Sequence, residues 1–185
     1  MSRRVFGERV QRLEDPALLR GQGRFIDDID LPDMAHAAFV RSPHAHARVN
    51  GIDTTAALAL DGVYAVYGLD DLRPHCVTER LVVGLPSRAY RLDVNRPALA
   101  GDEVCHVGEA VAIVVAENRY VAEDAVELVM VNYEPLPAIS DCRAALADGA
   151  TLVHTDESHN MVAEFDISYG DAEGIITTAP HVYKE

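Results

Sequence analysis

The sequence predicts an α+β fold built on a mixed sheet with one β-α-β unit. Three observations lead there. Val111–Ala116 is a continuous apolar run rich in β-branched residues, as buried central strands are. Asn118 then offers a helix cap, and Ala122, Ala125, Val126, Val129 and Met130 recur at three- and four-residue spacing, with Glu123, Asp124 and Glu127 facing away. Upstream, residues 34–67 read strand, strand, helix, strand.

In chain order, the first element is a capped turn of helix. Asp15 reads as its N-cap, Pro16 fits the first helical position, Ala17, Leu18 and Leu19 propagate it, and Gly21 ends it in a left-handed conformation. Gly21–Gln22–Gly23 continues as a turn, and Pro32 breaks the run that holds Asp27, Asp28 and Asp30. Met34–Val40 is apolar or small on both faces, as a strand covered on both sides is. Ser42–Pro43 turns the chain into a weaker strand, Ala47–Ile52. Asp53, Thr54 and Thr55 offer capping oxygens to a helix over Ala56–Leu60, which Gly62 closes, and Val63–Tyr67 follows as a strand. Residues 70–100, punctuated by Pro74, Gly84, Pro86 and Pro97, form a long excursion with one strand near Leu81–Val83.

After the helix begun at Asn118, whose period runs to about Val129, Val131–Tyr133 is a strand stopped by Pro135 and Pro137. Asp141 caps a short helix, Cys142–Ala147, ahead of Gly149. Val162–Tyr169 alternates as a strand, Gly170–Asp171 caps a weak helix over Ala172–Thr178, and His181–Glu185 starts another strand. No internal repeat or low-complexity tract is visible.

A chain of 185 residues has the length of one domain, or one and a fraction. It is long enough to bury roughly 70% of its unfolded surface without disulfides or metal. Apolar residues make up 49% and charged residues 25%, the mix of a soluble globular protein. Asp and Glu number 30 against 16 Lys and Arg, a net charge of −14. That field repels phosphate backbones and anionic lipid, so neither nucleic acid nor membrane insertion is expected. No apolar run approaches the ~20 residues of a membrane helix. Arg3–Arg4 is followed by Glu8, Arg9, Gln11 and Arg12, so no secretory or twin-arginine signal is expected. Cys76, Cys105 and Cys142 are far apart and form no C-x-x-C motif, which points to free thiols in a reducing, cytoplasmic setting.

Candidate chemistry is sparse. His44-x-His46 would place both rings on one face of an extended segment, but no third metal ligand lies nearby in sequence. His75 beside Cys76, and His106 beside Cys105, point to opposite faces of a strand and chelate poorly. Asp27-Asp28-x-Asp30 lacks the spacing of a calcium loop and reads as solvated charge. Gly21-x-Gly23 follows a helix rather than a strand, so it fails as a phosphate loop. Gly108–Glu109 reads as a turn, and Ser42, His44 and Asp53 carry no triad signal. No catalytic, cofactor-binding or metal residue is assigned from these patterns.

Four stretches in register do carry a resemblance: Arg12–Asp28 (RLEDPALLRGQGRFIDD), Ala38–Arg48 (AFVRSPHAHAR), His106–Ala116 (HVGEAVAIVVA), and Ala122–Ala125 (AEDA) with Tyr133–Pro137 (YEPLP). Over residues 5–183 the chain resembles the start of the large, molybdopterin-binding subunit of the xanthine dehydrogenase / aldehyde oxidase / aerobic carbon monoxide dehydrogenase family. The Arg41–Arg48 run looks most like the carbon-monoxide-dehydrogenase branch.

The resemblance implies the α/β hammerhead fold, over residues 1–150, with 151–185 as a linker and the first, incomplete elements of the molybdopterin-binding domain. It implies an oxidoreductase of aldehydes, N-heterocycles or carbon monoxide, carrying molybdopterin cytosine dinucleotide with molybdenum, [2Fe–2S] clusters and FAD in the complete enzyme. The implied partners are the remaining large-subunit domains, an iron–sulfur subunit and an FAD subunit. The family's pterin loops and catalytic glutamate lie downstream of this region, so none of those residues carries over, and the chain alone is expected to bind no cofactor and to be inactive. Gly174 and Pro180 stand where the family has alanine-rich helix, so an irregular last helix is expected. Gly108, Glu109 and the 70–100 excursion are the candidate contact regions. Two rivals remain: a stand-alone binding or assembly module with this fold, and an independent hydrolase or metal enzyme using His44, His46 and nearby carboxylates.

Overall fold

The computed structural model describes residues 6–7, 9–81, 87–92 and 95–183. The chain divides into two compact units, Met1–Ala35 and His36–Glu185. In the first, α1 (Asp15–Leu18) is a single turn with Glu14, one residue before the expected Asp15, at the cap and Pro16 in the first turn. Gly21 closes it with a φ of 67°. A 3₁₀ turn follows over Ile26–Asp28, in which the Asp28 carboxylate accepts the Phe25 N–H at 2.9 Å. The acidic run therefore has a local capping use.

The second unit holds the strands β1 (His36–Arg41), β2 (Ala47–Asp53), β3 (Val63–Tyr67), β4 (Glu103–Val104), β5 (Ala110–Ala116) and β6 (Met130–Pro135). Its helices are α2 (Thr55–Leu58), α3 (Leu69–Leu72), α4 (Arg119–Leu128) and α5 (Ala172–Thr178). Two three-stranded sheets form, in the orders β1-β5-β3 and β4-β2-β6. Every pairing in them is antiparallel. The α+β class holds, but the expected mixed sheet is two antiparallel ones. The β5-α4-β6 run is also no parallel crossover, because β1 and β3 occupy both edges of β5 and leave β6 to pair with β2.

β5 is the buried centre of its sheet: Val111, Ala112, Val114 and Ala116 are all fully buried. Its neighbour β1 is an edge strand whose exposure alternates, and Phe39 on its outer face is 44% exposed. The strand is thus covered on one side, not two. Helix α4 begins at the expected cap, where the Asn118 side chain accepts the Val121 N–H at 3.0 Å. Its buried stripe is made of Ala122 and Ala125, which let the helix lie close against β1, β5 and β3. Met130 continues the spacing by coincidence and belongs to β6, where it is 68% exposed.

β2 is the centre of the second sheet rather than a marginal strand, and its register with β6 shifts between Val49 and Gly51, a β-bulge. One apolar cluster joins Ala47 and Val104 of this sheet to Val40, Val111 and Val114 of the other, with Ala57 and Ala125 from the helices.

The 70–100 excursion contains α3, a 3₁₀ turn over Arg73–His75 and a lone bridge between Arg80 and Pro97. The strand expected near Leu81–Val83 lies, beyond Leu81, outside the described residues. Asp141 caps as expected, accepting the N–H groups of Arg143 and Ala144, but the helix it starts is a 3₁₀ turn over Ala144–Leu146. The alternating Val162–Tyr169 segment is not a strand: it makes one bridge, Tyr90 to Ala163. Alternation supplies a face, but a ladder needs a partner, and among the described residues only the neighbourhood of Tyr90 is offered. Helix α5 spans the expected residues with Asp171 accepting the Gly174 N–H, so it is regular despite Gly174. Residues 181–183 form no strand, and 184–185 lie outside the described residues.

Candidate functional site

The polar centre of the second unit is built on β4 and the segments packed around it. His46, immediately ahead of β2, is 6% exposed. Its Nδ1 lies 2.6 Å from the Pro137 carbonyl oxygen and its Nε2 2.8 Å from Glu103 Oε1. The Pro137 carbonyl can only accept, so Nδ1 donates to it and Nε2 is left facing the Glu103 carboxyl group. Glu103 also accepts the Thr155 N–H on its other oxygen, at 3.2 Å. Burial raises the Glu103 carboxyl more than any other single influence, yet the His46 and Thr155 hydrogen bonds and the His46 charge together hold it below its ordinary value.

Two residues on, past the buried Val104, Cys105 turns its sulfur to His154, with Sγ 3.3 Å from Nδ1. Its N–H donates to Glu109 Oε2 at 2.6 Å. Burial, then the charges of Glu103, Glu109 and Asp156, push the Cys105 thiol up to about 12. A thiol so placed is neutral at physiological pH and a poor nucleophile. These groups open on a cleft of about 590 Å³ that Arg73, Arg80 and Arg96 of the excursion also line. Arg73 is paired with Asp70 and Glu79, and Arg80 donates to the Asn95 carbonyl at 2.8 Å.

The structure separates the sequence candidates. His44 does not join His46: its ring meets Tyr133 edge-on, with centroids 4.9 Å apart. Ser42 is tied to the backbone of His44 and Asp53 to the Thr55 N–H, so no triad forms. His106 lies 3.4 Å from Glu109 and does not share a ligand position with Cys105. Cys76 and Cys142 are exposed and distant from this cluster in sequence. Gly108, with a φ of 84°, donates its N–H to the Ser42 carbonyl at 2.8 Å, so it holds an internal turn. Glu103 and His154 were not singled out by sequence reasoning. The one available signal was the Glu103-Val104-Cys105 alternation, which puts the two polar side chains on one face of a short strand.

The cofactors the resemblance implies fit these residues poorly. Glu79, Asp102, Glu109 and Asp156 join Glu103 in the cleft wall and oppose the pyrophosphate of a pterin dinucleotide. A [2Fe–2S] cluster takes four ligands, chiefly cysteine thiolates, and the cleft presents one cysteine.

Two antiparallel sheets sharing one core, with helices laid against them and a polar knot at β4, make this an α+β domain of hammerhead type. The family described as aldehyde oxidase and xanthine dehydrogenase, a/b hammerhead domain, matches residues 20–137, and the chain belongs to it. The large subunit of nicotine 6-hydroxylase from Paenarthrobacter nicotinovorans is 37% identical over 98% of this chain and 22% of its own length. The carbon monoxide dehydrogenase large chain of Afipia carboxidovorans is 40% identical over 93% of this chain and 22% of its own. Among solved structures, quinoline 2-oxidoreductase from Pseudomonas putida 86 superimposes with a TM-score of 0.79 at 35% identity, covering 97% of this chain and 22% of that one. The chain thus spans about a fifth of the length of these relatives. No helix among the described residues is long and apolar enough to cross a membrane.

Proposed function

We propose that this chain is the N-terminal, structural portion of the large subunit of a molybdenum hydroxylase, an oxidoreductase of aldehydes, N-heterocycles or carbon monoxide, and is not catalytic by itself. In this reading residues 1–150 are the hammerhead domain and 151–185 lead into the molybdopterin-binding domain. Its partners are the remaining large-subunit domains, an iron–sulfur subunit and an FAD subunit, in the cytoplasm. They hold the molybdopterin cytosine dinucleotide, the [2Fe–2S] clusters and the flavin. The role of this chain's own residues is to pack and to position.

The observation that carries the reading is similarity over nearly the whole chain to a fifth of several large subunits. Exposed apolar side chains in the last segment support it: Phe165 is 69% exposed, Ile167 83%, Tyr169 93% and Tyr183 87%. Such a string is apolar surface suited to burial by a partner. A stand-alone assembly module is disfavoured because the similar proteins are enzyme subunits.

The test is affinity capture of the chain from its native host, followed by assay of the isolated chain. Capture should recover polypeptides carrying molybdopterin and iron–sulfur centres. The isolated chain should turn over no aldehyde, purine or carbon monoxide and should bind an apolar dye. Turnover by the chain alone, or a partnerless monomer that binds no dye, overturns the reading.

A further inference from the structure

We infer that Glu103, Cys105 and His154 form a site for one zinc ion, with the fourth coordination position open to the cleft. Their ligand atoms lie within 4.8 Å of one another. At a Zn–S distance of about 2.3 Å and a Zn–N distance of about 2.0 Å, the observed 3.3 Å between Cys105 Sγ and His154 Nδ1 subtends an angle of about 100°, close to tetrahedral. Tetrahedral zinc spaces its ligands by roughly 3.3–3.8 Å, so the Glu103 carboxylate, within 4.8 Å of the other two ligand atoms, has at most about 1.5 Å to close. One sulfur, one imidazole and one carboxylate form a mixed donor set suited to zinc, whereas magnesium and calcium favour all-oxygen sites.

The surroundings favour a cation. Glu103 is already oriented by His46 and by the Thr155 N–H, the kind of outer support that metal-binding carboxylates receive. Glu109 and Asp156 add negative charge beside the sulfur, the same field that disfavours the free thiolate. Binding displaces the Cys105 proton to solvent, and the thiolate, the carboxylate and the dication then balance in charge. The ion would clip β4 to the turn at residues 153–156 across 49 positions of sequence. Neither the hammerhead assignment nor the proposed role in a larger subunit requires this site, so the two stand or fall separately.

The test is titration of the reduced, metal-free full chain with Co²⁺, followed by displacement with Zn²⁺. One equivalent should bind with a thiolate-to-cobalt charge-transfer band and the visible bands of tetrahedral cobalt, and zinc should abolish both. Cys105→Ser should lose the charge-transfer band, Cys142→Ser should keep it, and His154→Gln should weaken affinity at least tenfold. Absence of the band in the wild-type chain overturns the site, as does a band that survives in a folded Cys105→Ser. If circular dichroism shows that Cys105→Ser does not fold, His154→Gln decides: unchanged affinity overturns the site and a tenfold loss supports it. Co-purification with large-subunit partners is unaffected by any of these results.

Discussion

Replacing Tyr133 by phenylalanine should stabilise the protein. Tyr133 lies in β6 with its ring against His44, and its hydroxyl is buried with no hydrogen-bond partner among the described residues. The Ser42 hydroxyl is the one nearby hydrogen-bonding group that pulls against the effect of burial on Tyr133, but it makes no hydrogen bond of good geometry to the phenol and is engaged by both backbone groups of His44. An unsatisfied buried polar group costs about 1–3 kcal/mol. The residue as a whole is only half-buried, so the lower end applies, and Tyr133→Phe should gain about 1 kcal/mol while keeping the ring contact. For a chain of this length that is about 2–4 °C in Tm. The hydroxyl also gives a sign test. Burial raises the Tyr133 pKa above its ordinary 10.0, so the folded state favours the neutral phenol. That contribution is complete below the unfolded pKa and is lost as pH rises through the folded one. The wild type should therefore lose stability faster than the variant in strong alkali. Urea and thermal unfolding of both chains at neutral and alkaline pH measure both effects. A loss of 1 kcal/mol or more at neutral pH would mean that the hydroxyl has a partner and would refute the argument.

Two further outcomes concern the helix and turn that frame the core. Asn118→Ala removes the acceptor for the Val121 N–H at the start of α4 and should cost about 1 kcal/mol in urea unfolding, with Asp restoring most of it. Gly62→Ala should cost about 1–2 kcal/mol, because Gly62 sits at a φ of 88°. A new Cβ there also meets the flexible end of Glu117, which can move aside, so the backbone term dominates. A neutral Gly62→Ala in the same assay would contradict the left-handed turn.

What could be read in the sequence was local. Val63–Tyr67 matches β3, Ala172–Thr178 matches α5, and the Asn118 cap and the alanine stripe of α4 are as expected, because caps and periodicity act between near neighbours. Pairing was not legible. Nothing in the spacing of β5, α4 and β6 says that β1 and β3 take both edges of β5. The same limit hid the polar centre: Glu103 meets His46 across 57 positions and Cys105 meets His154 across 49. β4 was missed because two residues carry no period. The spacing of His44-x-His46 puts both rings on one face of an extended segment, yet packing sends one ring to Tyr133 and the other to Glu103. The resemblance reached the family because it depends on the order of several motifs rather than on contacts.

The interleaved strand order constrains how the protein can be made. The first sheet cannot close until β5 is available, and β2 has only the two-residue β4 to pair with until β6 arrives. A nascent chain emerging from the ribosome therefore carries β1 and β3 unpaired until β5, which begins at Ala110, has been made, with open strand edges during that interval. Its folding should be slow for its size, governed by closure of distant segments. Chaperone engagement should be strongest on stalled chains that stop short of Ala110.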